Sequence, residues 1–176
     1  IDGKNIVLIA KDDAYEAGRT VANVEEMLET ENILGFVGVI GTPNNFAIRP
    51  ITDDACVPQL LNLSGFPFWG DPANYPWTVG NILNYITETN IWCEAIVEEF
   101  GAGATVAGLF ANNDFGKTYQ QTLKECSGIE LVAEELHDPA APDVTNEMTT
   151  LASSGAQVFV AGTTGAFCPQ SVGVMA

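Results

Sequence analysis

The chain has 176 residues, 47% of them hydrophobic, which fits one or two small domains with a substantial core. Acids outnumber bases 23 to 6, and the formal charge of −17 argues against nucleic acid or an anionic membrane surface as partner, since both need a basic face. No stretch is apolar and long enough to span a bilayer, and four widely spaced cysteines with one histidine offer no zinc-ligand spacing.

In chain order, IDGK reads as a turn rather than a targeting leader, and Asn5–Ala10 as a short apolar strand. Lys11-Asp12-Asp13 reads as its solvated end. Glu16–Glu31 carries Val21, Val24 and Leu28 at helical spacing. Leu34–Ile40 is a strand, Pro43 to about Ala55 a helix and Gln59–Leu63 a strand. An irregular stretch, SGFPFWGDPANYPW, follows, in which Trp77 is expected to pack the crossing between lobes. A second block begins near Thr78. Ile82–Phe100 is a long helix, Thr105–Ala111 a strand, Asp114–Glu125 a helix and Ile129–Leu136 a strand. Asp143 is placed to cap a helix over Val144–Ser154. Gln157–Ala161 is a strand, and TTGAFCPQ opens a last helix.

Alternation of helices with near-continuous apolar strands predicts parallel sheets covered by helices. Two such blocks predict two lobes, residues 1–78 and 79–176. Each block supplies only about three strands, so the fold is expected to be incomplete at both ends.

Ligands of open parallel sheets sit beyond the carboxyl ends of the strands, against helix N-termini. Those ends here are Gly41-Thr42-Pro43-Asn44-Asn45, Ser64-Gly65-Phe66, Asn112-Asn113-Asp114-Phe115-Gly116 and Gly162-Thr163-Thr164-Gly165. All are small or polar. Thr42 suits an N-cap and Pro43 the first helical position, so free N–H groups and a hydroxyl would form a ledge for a carboxylate; a plain capped helix is the simpler alternative. Phe66, Phe68, Trp69, Tyr75 and Trp77 supply aromatic walls close by.

Other patterns carry less. Gly101-Ala102-Gly103 precedes its strand, whereas a phosphate-cradling loop must follow one. The pairs Glu25-Glu26, Glu98-Glu99 and Glu134-Glu135 read as solvated faces. His137 falls in a polar loop with no nucleophile elbow nearby. Asn62-Leu63-Ser64 matches a glycosylation acceptor at a strand end. Bridges Cys56–Cys93 and Cys126–Cys168 are open possibilities.

The segments GFVGVIGTPNNFAIRPITDDACVPQLL, SGFPFWGDPANYPWTVG, LFANNDFGKTYQQTLKE and ASSGAQVFVAGTTGAF resemble solute-binding proteins of the type I periplasmic fold, nearest to the branched-chain amino-acid (Leu/Ile/Val) receptors of ABC transporters. The resemblance covers essentially the whole chain. It implies a two-lobed, non-enzymatic α/β protein, periplasmic or extracellular with a lipid anchor left open. Such a protein needs no cofactor, holds a small amino acid or related amide or carboxylate between its lobes, and delivers it to a membrane permease. The ligand-binding candidates it implies are Thr42 and Asn44 on the ledge, Ser64 and Gly65 beside it, and Phe115, Thr163 and Thr164 from the second lobe. Phe115 stands where the family often has a tyrosine. A sensory module with the same fold is the alternative, and an enzyme of doubly wound fold would need a nucleotide or nucleophile motif that these strand ends lack.

Overall fold

The structure, a computed structural model, describes residue 3 and residues 5–175. It contains two three-stranded sheets, all of whose pairings are parallel. In the first, β1 (Phe36–Val37), β2 (Gln59–Asn62) and β3 (Thr78–Gly80) lie in the order β1-β2-β3. An isolated bridge between Ile40 and Leu63 extends the β1–β2 pairing toward the carboxyl ends. Helices α1 (Ala17–Thr30) and α2 (Thr42–Asp54) pack together, and Val24, Met27, Phe36 and Ile48 close one core beneath them.

The second sheet has the order β5-β4-β6, from β4 (Ala104–Ala111), β5 (Ile129–His137) and β6 (Val158–Gly162). Central β4, ATVAGLFA, is buried along nearly its whole length, as a strand covered on both faces must be. Val106 and Phe110 face Cys93 and Ile96 of α3 (Tyr85–Phe100) and Tyr119 and Leu123 of α4 (Asp114–Glu125). On the opposite face, Ala107 and Leu109 meet Val144, and Met148 and Leu151 of α5 (Thr145–Ser153), beside α6 (Phe167–Met175). Burying a side chain such as Leu109 or Phe110 stabilises the fold by about 1.5–3 kcal/mol.

Four differences from the sequence-based expectations have physical causes. Among the described residues Asn5–Ala10 pairs with no strand, and without a ladder to join Ile6, Val7 and Leu8 are 74–82% exposed. Thr78–Gly80, at the expected lobe boundary, is a strand of the first sheet, with Gly80 opposite Asn62. Trp77 is more than one-third exposed, and its carbonyl accepts from Gln59 N, so it joins the end of β3 rather than plugging a crossing. The cysteines pair as neither of the two bridges left open by the sequence: Cys93 of α3 joins Cys126 at the end of α4, with Cα atoms 6.2 Å apart, while Cys56 and Cys168 are free.

Candidate functional site

Helix α2 begins differently from the expected cap. Gly41, not Thr42, holds the N-cap position, at φ 100° and ψ 136°, with no side-chain cap bond. Thr42 is the first helical residue. The N–H groups of Thr42 and Asn44 find no acceptor among the described residues, and Pro43 has none to satisfy. A helix N-terminus with free N–H groups and a positive dipole end favours an anion.

Gly41 is required for a second reason. A Cβ there would lie 2.6 Å from the Tyr15 ring and 2.7 Å from Asn44 Oδ1. Tyr15 reaches that position through a left-handed turn, with Ala14 at φ 50° and Tyr15 at φ 62°. Left-handed backbone is uncommon outside glycine, and the two preceding acids hold it here. Asp12 Oδ1 accepts from Ala14 N at 2.8 Å, and Asp13 Oδ1 from Tyr15 N at 2.9 Å. Asp13 Oδ2 also accepts from Thr20 Oγ1 at 2.7 Å and Asn44 Nδ2 at 3.2 Å. Asp13 is therefore the knot of a turn, not the solvated strand end that the sequence suggested. Asn44, fully buried, donates to this knot and to Thr20 Oγ1 at 2.8 Å; its Oδ1 has no partner.

The hydroxyl of Thr42 meets Ser64 Oγ at 2.7 Å. Both residues are buried, and Ser64 Oγ also accepts from Trp69 Nε1 at 2.8 Å and Phe66 N at 3.3 Å. Trp69 packs on Phe46, with centroids 4.9 Å apart, and Phe46 packs edge-on to Phe66 at the same distance. Gly65 is pinched at the passage between the sheets: its carbonyl accepts from Tyr85 N at 2.8 Å, and a Cβ would collide with Leu83 O and the Tyr85 ring. Ser64, Gly65, Phe66 and Trp69 line a cavity of about 210 Å³ with Val79, Gly80, Ile82 and Asn84.

From the second sheet, Asn113 Oδ1 caps α4 by accepting from Gly116 N at 3.1 Å. This turns Phe115 edge-on against Tyr85 and Tyr119, each 5.3 Å away. At the end of β6, the Thr163 hydroxyl lies 2.6 Å from Nε2 of His137, the last residue of β5. His137 is buried, packs at a tilt against Phe167 with ring centroids 4.2 Å apart, and has Nδ1 3.1 Å from Asp138 O. Thr164 is exposed beside it.

Tyr15 borders the first group. Its ring covers Gly41, and its phenol is raised above the ordinary tyrosine range by burial first and by Tyr85 second, with the Thr164 side chain pulling the other way. Helix α2 packs against α4 nearby. Thr42, Ser64 and Gly65 thus form one cluster, and Thr163 with His137 a second. Phe115 sits in the aromatic wall, and Asn44 faces the Asp13 knot. Sequence reasoning missed Tyr15, Trp69 as donor to Ser64, and His137. The signal for His137 was present: it closes the alternating strand β5 and belongs with the strand ends. Asn62, acceptor of the sequon, is fully buried with both amide atoms unpartnered, so the folded chain does not offer it for glycosylation.

The sequence profile of a family described as periplasmic binding protein matches residues 1–176. No curated protein sequence matches the chain. Among solved structures, a substrate-binding periplasmic protein from Ralstonia solanacearum superposes with TM-score 0.86 at 21% identity, over 98% of this chain and 49% of that one. The branched-chain amino-acid transporter substrate-binding protein LivJ from Streptococcus pneumoniae, in complex with isoleucine, gives 0.78 at 18%, over 92% and 46%. An ABC-transporter solute-binding protein from R. palustris, in complex with 4-hydroxybenzoate, gives 0.75 at 21%, over 92% and 44%. At these identities the likeness is one of fold, and the chain spans about half the length of each structure.

Proposed function

The chain belongs to the periplasmic binding protein family and has its type I fold, and from that premise we propose that it is part of the solute receptor of an ABC-type uptake system. The solute is a small amino acid or related carboxylate, held between the strand ends of the two sheets, and the partner is a membrane permease. The observation that carries this reading is the start of α2, where an uncapped helix N-terminus and the buried Thr42–Ser64 pair stand together at a strand end. Free N–H groups and a hydroxyl that caps nothing suit a carboxylate. Aromatic residues on both sides, Phe46, Phe66 and Trp69 from the first sheet and Tyr85, Phe115 and Tyr119 from the second, supply apolar walls. The isoleucine and 4-hydroxybenzoate carried by two structural neighbours support a carboxylate in particular.

The family points to an extracytoplasmic location, and the Cys93–Cys126 disulfide supports it, since such bonds persist in oxidising compartments. No described helix is long and apolar enough to cross a membrane.

Calorimetry of the full-length protein tests the proposal, using a panel of amino acids, hydroxy acids and aromatic acids, repeated with Thr42→Ala. Binding of one carboxylate class, weakened about tenfold by the substitution, is the expected result, since a hydrogen bond to a charged group contributes roughly 1.5–3 kcal/mol. Binding indifferent to Thr42, or none across the panel, would reduce the junction to a helix start.

A further inference from the structure

We propose that Asn62 and Asn45 hold internal water between β2 and helix α2, and that the irregular turn of β2 at Leu61 serves to bring the Asn62 amide there. This water site is separate from the strand-end ledge and lies under the helix that carries it.

Side chains of a regular strand alternate between its faces. Gln59 faces α2, since its Nε2 donates to Asn45 O at 3.4 Å. Regular alternation would then turn Leu61 inward and Asn62 outward. The chain does the reverse. Leu61 takes a left-handed φ of 56°, and the register against β3 shifts between Gln59 and Asn62. Leu60 and Leu61 are both exposed, while Asn62 is fully buried. The opposite face of this sheet is open, so a fully buried side chain lies on the α2 side. Left-handed backbone is unfavourable for leucine, and so is a buried amide where a leucine would otherwise pack. Two unfavourable choices at adjacent residues point to a use for the amide.

The neighbouring amide of Gln59 is paired at both ends, because its Oε1 accepts from Thr78 Oγ1 at 3.1 Å. Asn45 Nδ2 donates to Gly41 O at 2.7 Å and to Val39 O at 2.9 Å. Val39 O also accepts from Leu63 N at 3.0 Å, so the Asn45 amide lies beside the end of β2 where Asn62 stands. Three atoms of this layer have no protein partner among the described residues: Asn62 Nδ2, Asn62 Oδ1 and Asn45 Oδ1. Both residues are fully buried, and buried polar atoms in native folds find partners.

One donor and two acceptors decide the chemistry of the occupant. A cation would serve the oxygens and leave Nδ2 unpaired, and an anion would do the opposite. Water both gives and takes, and it is the common partner of such interior groups. Oδ1 and Nδ2 of one amide diverge, so a single molecule cannot serve both, and the occupant is a short chain of water. Asn45 already ties the first turn of α2 to the end of β1. Water bridging Asn62 to Asn45 Oδ1 extends that tie to β2, which makes Asn62 a positioning residue for the start of α2.

A crystal structure of the full-length protein is expected to show ordered water within hydrogen-bond reach of Asn62 Nδ2, Asn62 Oδ1 and Asn45 Oδ1. In solution, magnetic relaxation dispersion of the water oxygen counts molecules held inside the fold for longer than the protein tumbles. Asn62→Leu, similar in size and without polar atoms, should lower that count. Leu61→Gly suits the left-handed backbone and should leave the count unchanged, whereas β-branched Leu61→Val should lower both the count and the urea midpoint. An Asn62 amide bonded directly to protein groups, a count unmoved by Asn62→Leu, or a site that fills only when sodium or potassium is added overturns the proposal. Should Asn62→Leu fail to fold, the density around Asn62 in the unsubstituted protein still decides it.

Discussion

Tyr119 shows how a single side chain ties two helices of the second sheet's cover. Its phenol donates to Glu88 Oε2 of α3 at 2.5 Å, and its ring stacks on Trp92 at 4.9 Å and leans on Tyr85 at 4.7 Å. Burial, then the hydrogen bond to Glu88 and its charge, push the phenol far above the ordinary tyrosine value of 10.0. The folded state thus favours the neutral phenol. Its contribution is complete below the pH at which the unfolded tyrosine ionises and declines as pH rises beyond it. Tyr119→Phe should lower urea stability at neutral pH by about 1–2 kcal/mol and flatten the loss of stability above pH 10; an unchanged alkaline profile would show that Tyr119 does not govern it. Residue roles were unevenly legible in the sequence. Thr42 announced itself as a hydroxyl at a strand–helix junction. Tyr15 did not, because its position depends on two consecutive left-handed residues, and His137 did not, because the strand was taken to stop at Leu136.

At the scale of elements, periodicity and punctuation located each α-helix among the described residues, with shifts of a few residues at their starts, but not the short 3-10 turn at Pro67–Gly70. What they could not give was pairing. Four cysteines admit three connectivities, and only the packing of α3 beside α4 brings Cys93 to Cys126. Short strands suffered for a related reason. β1 and β3 have two and three residues, too few to show an alternation, and Asn5–Ala10 has strand composition without a neighbour. The start of α2 was legible as a polar junction but not as an uncapped one, since the cap position depends on the φ of Gly41. The disulfide makes the clearest element-scale prediction. It closes a loop of 33 residues in sequence separation, and such a link stabilises chiefly by restricting the unfolded chain. Reduction should lower the urea-unfolding free energy by about 3 kcal/mol. In the native oxidised protein exposed Cys56 should react with a thiol reagent, whereas Cys93 and Cys126 should not. Labelling of either bridged cysteine before reduction would contradict the pairing.

Across the molecule the two sheets differ in cover. The second is buried on both faces, but the first is buried only toward α1 and α2. On its other face Val37, Leu60, Leu61 and Val79 are 38–58% exposed, and Ile6, Val7 and Leu8 stand further out still. Scattered apolar side chains on a surface are ordinary, but a row of them across neighbouring strands is a surface awaiting a partner. An open row of strand N–H and C=O groups adds to that tendency. The acidic charge of −17 works against it by mutual repulsion, and that repulsion weakens as salt rises. The 176-residue chain, expressed by itself, should therefore bind the dye ANS and self-associate, more strongly at about 1 M salt, where the Debye length falls to roughly 3 Å. Replacing Leu60 and Val79 together by lysine should reduce both signals, because the two residues lie on adjacent strands of the uncovered face. A chain that is monomeric and dark to the dye at every salt concentration would mean that this face finds its cover within the 176 residues.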